Sequence, residues 1–339
     1  MRTGLALSVV SGLLGFAGMA ALLAQHGVPA IFGLISSIGW GLGVIVLVRV
    51  FTLVAAGLGW AWLVIPFARV ERAVFPLLRW VRESINVLLP VAQVGGDLMG
   101  GRLLTFWNVP TGLAGASILV DLLIQLGTQL LFALLGLGVL ALAGGDHRLV
   151  EYVGGGLGVS AFGLLGFYFA QRSRFLGIVE DALIERANRW RVAPITEGRR
   201  LHDSLRAIHG RSGALLASFA LHQVAWFLGV AEIWIALACM GLNPSLGECV
   251  VLESLGQAVR SAAFAVPGAL GVQEGGFMLL GGLYGLGPDA SLALSLVKRL
   301  PDLALGIPGL LAWHLLEVRH LLAGRLRRTR TAPETRPMR

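Results

Sequence analysis

The sequence predicts an all-α polytopic membrane protein, with about six full spans plus two Pro/Gly-broken re-entrant hairpins in an inverted repeat. Three observations carry this. Of 339 residues, 56% are hydrophobic and only 14% charged, with a mean hydropathy of +0.77, where a soluble domain carries about 25% charged residues. Apolar stretches near the ~20 residues needed to cross a bilayer recur along the chain. Two further stretches are apolar but are interrupted by Pro and hold charges, and irregular backbone at membrane depth is tolerated only where it is buried in protein or lines a cavity.

In chain order, the apolar run 4–24 is a first span. It is longer than the ~7–15-residue core of a secretory signal, so it reads as retained. Residues 30–37 are expected along the interface, and a second span covers 39–65, apolar except for Arg49. Arg69, Arg72, Arg79 and Arg82 follow as a basic segment, 66–83. The stretch 84–106 holds Pro90, Asp97 and Arg102 and is the first broken hairpin. Spans at 111–142 and 149–170 come next, the latter with Gly154 and Gly158 in the small-residue spacing that lets helices approach.

Segment 171–211 has nine Arg against five acids. Its apolar positions Phe175, Leu176, Ile178, Val179, Leu183 and Ile184 suit either an amphipathic helix on an anionic leaflet or a solvated loop. A span at 213–241 carries His222 and Glu232. The stretch 249–286, broken at Pro267-Gly268, is the second hairpin, and 289–316 is the last span. The tail from Val318 holds seven Arg and one acid and is expected to be disordered beyond Leu326.

Residues 1–317 thus form a single transmembrane domain, with repeat halves at about 39–142 and 213–316 joined by the basic segment 171–211, and 318–339 is a basic tail. Placing all three basic segments on the cytoplasmic side requires each broken stretch to return to the side it entered, the first from the cytoplasm and the second from outside. Both termini are then cytoplasmic. At an offset of 177 residues, Pro90 matches Pro267, Asp97 matches Glu274, Asp121 matches Lys298 and Gln125 matches Asp302. Inverted repeats with discontinuous helices around a mid-membrane site are the pattern of secondary transporters.

Charges at bilayer depth cost roughly 2.5–3.5 kcal/mol each on insertion scales, so the candidate site is built from them. Asp97, Asp121, Glu232, Glu274 and Asp302 nearly balance Arg49, Arg260, Lys298 and Arg299, which leaves a mutually paired structural network as the alternative to a functional site. Ser117, Asp121, Gln125 and Gln129 recur every four residues on one helix face; for the two glutamines, plain interhelical hydrogen bonding is the competing reading. Lys298 and Asp302, four apart, can pair on their own helix, leaving Arg299 to face Glu274 or a substrate anion. Glu274, Arg260 and Arg299 are expected to line one central cavity with Asp97 and Asp121. Pro267, Gly268 and Gly271 would end the half-helices there, offering free N–H groups to an anionic or polar headgroup unless Glu274 caps that end itself. A lone membrane histidine such as His222 is either a proton relay or a bond to a neighbouring helix. Trp40, Trp60, Trp62, Trp80, Trp107 and Trp313 fall near span ends, as interfacial anchors do.

Other classes receive little support. The Arg residues sit in loops beside spans, with no nucleic-acid-binding module. The histidines are scattered, Cys239 and Cys249 lie outside any CxxC spacing and read as small buried thiols, and no metal site, cofactor or catalytic nucleophile is expected.

The segment Pro267-Gly268-Ala269-Leu270-Gly271-Val272-Gln273-Glu274, with Arg260 before it and Gly287 and Arg299 after it, resembles the membrane domain of lysylphosphatidylglycerol synthases and their flippase-like relatives. The first-half run L-L-P-V-A-Q-V-G-G-D-L-M-G-G-R is similar to the branch associated with hopanoid lipid biosynthesis, although the wider family usually has a Glu near Asp97. The resemblance implies a bacterial inner-membrane protein that handles lipid, in the synthases by a transbilayer flip. It does not imply aminoacylation, because no soluble catalytic domain follows Trp313. The expected partners are a membrane lipid substrate, the bilayer and lipid-biosynthesis enzymes, with the oligomeric state left open. The alternatives to a flippase or transporter are a membrane transferase using a lipid-linked donor and a non-catalytic member of a lipid-synthesis complex.

Overall fold

A computed structural model of the chain describes residues 2–25, 28–89, 95–144, 147–172, 198–263 and 266–330. The expectations for Pro90 and for the apolar positions between Phe175 and Ile184 lie outside the described residues. Among the described residues all regular secondary structure is helical, without a strand. The elements are α1 (Arg2–Gln25), α2 (Val28–Ser37), α3 (Gly41–Val64), α4 (Val74–Leu88), α5 (Gly95–Leu104), α6 (Thr111–Leu142), α7 (His147–Arg172), α8 (Gly198–His209), α9 (Ser212–Cys239), α10 (Leu246–Ala262), α11 (Val272–Gly282) and α12 (Pro288–Arg330).

Among the described residues four helices are long and apolar enough to cross a membrane: α3, α6, Val150–Arg172 of α7, and α9. Counting α1 with α2, which meet at a 90° bend, makes five. The protein is therefore a multi-pass membrane protein, and apolarity alone does not reach the expected six spans. The stretch 289–316 lies within α12, which is not among the four and carries Lys298, Arg299 and Asp302. Nor does α12 stop at Leu326; it runs as helix to Arg330.

The same order of elements occurs twice. A long helix (α3 or α9) leads to a broken pair (α4 and α5, or α10 and α11), followed by a second long helix (α6 or α12). The first broken pair begins at Val74, about ten residues before the expected hairpin start at 84. The physical reason is amphipathicity: Phe75, Leu78, Val81 and Ile85 are spaced as one apolar helical face and are buried. The basic segment 66–83 is thus shorter than the sequence suggested, and its last two arginines enter the protein.

Two apolar cores result. One joins α2, the start of α3, the end of α6, the second half of α9, α10, α11 and the first part of α12. The other joins the end of α3, α4, α5, the first half of α6, and Leu205 and Ile208 of α8. The first arm of each broken pair also packs on the long helix of the opposite half, α4 on α12 and α10 on α6. Both crossings need glycine. A Cβ on Gly136 would lie 1.7 Å from Ser254 Oγ, and one on Gly309 would lie 1.9 Å from Ser84 Oγ. No such approach occurs at Gly158 of the small-residue pair on α7, where an added Cβ would meet no packed neighbour within 4 Å among the described residues.

Candidate functional site

The polar residues concentrate where α3, α6 and α9 pass from one core to the other. On α6, Ala114 to Ile124 serve one core and Phe132 to Leu140 the other, with Gln125 and Gln129 between them. On α3, Ile45 and Trp60 sit in different cores, with Arg49 and Thr52 between.

The first cluster centres on α4. Arg79, Arg82, Glu83 and Asn86 stand at i, i+3, i+4 and i+7, so they share one face. Arg82 is 1% exposed. Its Nε donates to Asp97 Oδ1 at 3.0 Å and its Nη1 to Asp121 Oδ2 at 2.8 Å. Its guanidinium also lies 4.8 Å from the ring centre of Trp60, whose indole donates to Ser117 Oγ. Trp60 is fully buried and is not an interfacial anchor; its ring is a cation–π partner for a desolvated arginine. Asn86 donates to Asp97 Oδ2 and accepts from Gly96 N–H, which ties the two arms of the broken pair. Arg79 donates to Gln125 Oε1 at 2.9 Å and lies 3.6 Å from Asp121.

The second cluster centres on α12. Lys298 Nζ lies 2.7 Å from Glu232 and 2.9 Å from Glu253. Asp302 accepts from Arg260 at 3.0 Å and lies 4.0 Å from Arg49, and Arg49 donates to Glu232 at 3.0 Å. The expected pairing of Lys298 with Asp302 along their own helix is therefore not made. Each faces different opposite charges on α3, α9 and α10, buried or part-buried, where the Coulomb attraction is less screened than along an exposed helix face.

At the second break, Gly268 has φ 62° and Gly271 φ 76°, left-handed values that suit glycine. Glu274 accepts the Gly271 N–H at 2.7 Å, so the acid caps α11 itself. Arg299 donates to Glu274 at 2.7 and 3.1 Å and to the carbonyls of Gly268 and Ala269 at 2.7 and 3.3 Å. One arginine thereby satisfies the carbonyls that the broken helix exposes.

A cavity of about 430 Å³ lies among these clusters, large enough for a polar headgroup. Its polar lining comprises Arg49, Arg79, Arg82 and Arg260, the acids Glu83 and Asp97, and a set of neutral groups including Asn86, Gln125, Gln129, Gln257 and Ser261. His222 and the Gly268 backbone complete it. Of the expected site residues, Arg49, Asp97, Gln125, Arg260 and Gly268 line this space. Asp121 stands behind Arg79, Arg82 and His222. Asp302 lines a smaller adjoining hollow with Arg49 and Trp80.

The expectation that Glu274 and Arg299 line the same cavity is not met, because they are turned toward each other and the break. Lys298 and Gly271 are likewise outside the lining, and Pro267 opens the one-turn helix at the break. Arg102 lies apart: it is 58% exposed at its side chain and pairs with Glu317 at 2.9 Å. Gln129 donates to the Gln257 carbonyl and to Ser261 Oγ, the interhelical bonding that was its competing reading.

Sequence reasoning missed Arg79, Arg82, Glu83, Asn86, Glu253 and Gln257. The first four carried a signal in their helical spacing beside an apolar face, which loop assignment by charge concealed.

The model of the lysylphosphatidylglycerol synthase TM region matches residues 4–309 of the chain. No curated protein and no solved structure matches it.

Proposed function

The chain belongs to the lysylphosphatidylglycerol synthase TM-region family, and from that premise we propose that it is a lipid flippase or transporter of the bacterial inner membrane, linked to hopanoid metabolism. The observation that carries the reading is the cavity, a space of about 430 Å³ lined by four guanidiniums, two carboxylates and several amides inside an otherwise apolar helical bundle. A lipid headgroup entering it exchanges water for fixed hydrogen-bonding groups, while its chains stay with the bilayer.

A phosphate-bearing or polyol headgroup suits the lining best. Arginine holds phosphate oxygens bidentately, and the amides of Asn86, Gln125 and Gln257 both donate and accept, as hydroxyls require. Arg49, Arg79, Arg82, Arg260 and Gln125 are the headgroup contacts, with Asp97 holding Arg82 in place. The helix–broken pair–helix unit that occurs twice supports alternating access, with both termini cytoplasmic and the two breaks entered from opposite sides. Enzymes that make the transported lipid are the proposed partners.

The test is a deletion strain in which the amount of each lipid and its distribution between leaflets are both measured. Transport predicts altered sidedness with the lipid still made. A missing lipid product with unchanged sidedness would refute it in favour of a transferase.

A further inference from the structure

His222 and Asp121 form a pair that neither the packing nor headgroup contact accounts for. His222 lies on α9 and lines the cavity; Asp121 lies behind it on α6, and their exposures are 2% and 0%. His222 Nδ1 is 2.9 Å from the Ser218 carbonyl. A carbonyl oxygen can only accept, so Nδ1 carries a hydrogen. In the neutral ring Nε2 is then a bare acceptor. It faces Asp121 Oδ1 at 3.5 Å, and among the described residues neither atom has a hydrogen-bond partner. Two buried acceptors pointed at each other leave both unsatisfied. A single hydrogen on Nε2 turns the same contact into a charge-assisted N–H···O bond.

We propose that His222 and Asp121 together bind one proton exchanged with the cavity, and that this proton is the coupling ion for transport. The proton site stands on its own geometry; the coupling rests on the lipid-transport reading. The neighbours decide where the proton sits. Asp121 Oδ2 accepts from Arg82 at 2.8 Å and has Arg79 at 3.6 Å, so that oxygen already faces two cations from α4. The proton therefore resides on His222 Nε2 and leaves to cavity water, giving hydronium and neutral imidazole. The other charged groups that share the cavity lining with His222 are Arg49 on α3, Glu83 on α4, Asp97 on α5 and Arg260 on α10.

Arg79 lines the cavity and makes the longer of the two contacts to Asp121. A headgroup phosphate that draws Arg79 toward itself removes a cation from beside the pair and eases protonation of His222. Headgroup and proton then bind together, and each raises the affinity for the other.

The experiment is ¹⁵N NMR of histidine rings in the full-length protein in nanodiscs, with the His222 signal assigned by its loss in His222→Gln. The expected result is a titration at Nε2, with Asp121→Asn moving the midpoint to lower pH. A His222 ring that holds one protonation state throughout, or a midpoint unmoved by Asp121→Asn, would overturn the proton site. Because Asp121→Asn also leaves Arg79 and Arg82 short of a partner, proteoliposomes provide a second measurement that does not depend on it. Phosphate-headgroup lipid should cross several-fold faster under a proton gradient with wild-type protein, and at a gradient-independent rate with His222→Gln. Wild-type flux indifferent to the gradient would overturn the coupling. No lipid movement in any vesicle would instead remove the transport reading, and the ring titration would still decide the proton site.

Discussion

Replacing Glu274 with Gln changes one atom, and the structure sets the cost. The Glu274 carboxylate is fully buried and faces donors only: Arg299 Nε and the Ser295 hydroxyl at Oε1, Arg299 Nη2 and the Gly271 N–H at Oε2. A glutamine can offer one oxygen. In either orientation its NH2 group must then confront an Arg299 N–H, so at least one charge-assisted bond is lost and the arginine is left without its counter-charge. Charge-assisted hydrogen bonds contribute about 1.5–3 kcal/mol each, and breaking a buried ion pair costs about 3–5 kcal/mol. A loss of roughly 3–5 kcal/mol follows, a large share of the ~5–15 kcal/mol that holds a typical protein folded. The expected readings are a melting temperature about 10 °C lower for the detergent-purified protein and reduced accumulation in the membrane. Glu274→Gln combined with Arg299→Met should recover only part, since the Gly268 and Ala269 carbonyls lose their donor. A single variant that melts and accumulates like wild type would refute the reasoning, because Glu274 would then not be the group that neutralises Arg299 and caps α11.

Three further outcomes follow from the packing and the pairs. Gly136→Ala and Gly309→Ala should each destabilise by about 1–3 kcal/mol, read as lowered melting temperatures. A new Cβ at either would also lie within 3 Å of a serine Cβ, 2.9 Å at Ser254 and 2.8 Å at Ser84, so rotating the hydroxyl is no escape and the helices must part. Lys298→Met should cost about 3–5 kcal/mol by leaving Glu232 and Glu253 buried without their shared cation, and adding Glu253→Gln should restore part of it. Arg102→Ala should change stability by less than about 1 kcal/mol and leave transport intact, because its pair with Glu317 is exposed and outside the cavity.

The sequence disclosed the parts of this fold that break a rule of membrane chemistry. Pro267-Gly268 inside an apolar run could only be a break, and Glu274 three residues past Gly271 could only cap or bind. Arg299 was left with Glu274 or a substrate anion to face, and it takes Glu274. The unbroken spans were legible for the simpler reason that apolar length is nearly sufficient there, and α6 coincides with the stretch 111–142.

Arg79 and Arg82 show where such reading stops. Four arginines after an apolar span look like a basic cytoplasmic segment, because charge sign is local while burial is not. What turns two of them inward is Asp97 and Asp121, 15 and 39 residues further on from Arg82. Lys298 failed for a related reason. Its i+4 acid was visible in sequence, whereas Glu232 and Glu253, on α9 and α10, reach it only once those helices pack. Trp60 sat at a span end by count, yet its ring serves Arg82. The cavity depends on both halves, and no stretch of either one encodes it alone.

The most direct measurement follows a labelled phosphate-headgroup lipid crossing the bilayer of proteoliposomes that contain wild-type protein or Ser261→Trp. Ser261 lines the cavity beside Arg260 and Gln257, so an indole there occupies the space through which the headgroup must pass. The account predicts that wild-type protein accelerates crossing well above protein-free vesicles, and that Ser261→Trp, folded and inserted to the same extent, returns the rate to that background. Crossing no faster than in protein-free vesicles, or undiminished in Ser261→Trp, would contradict it.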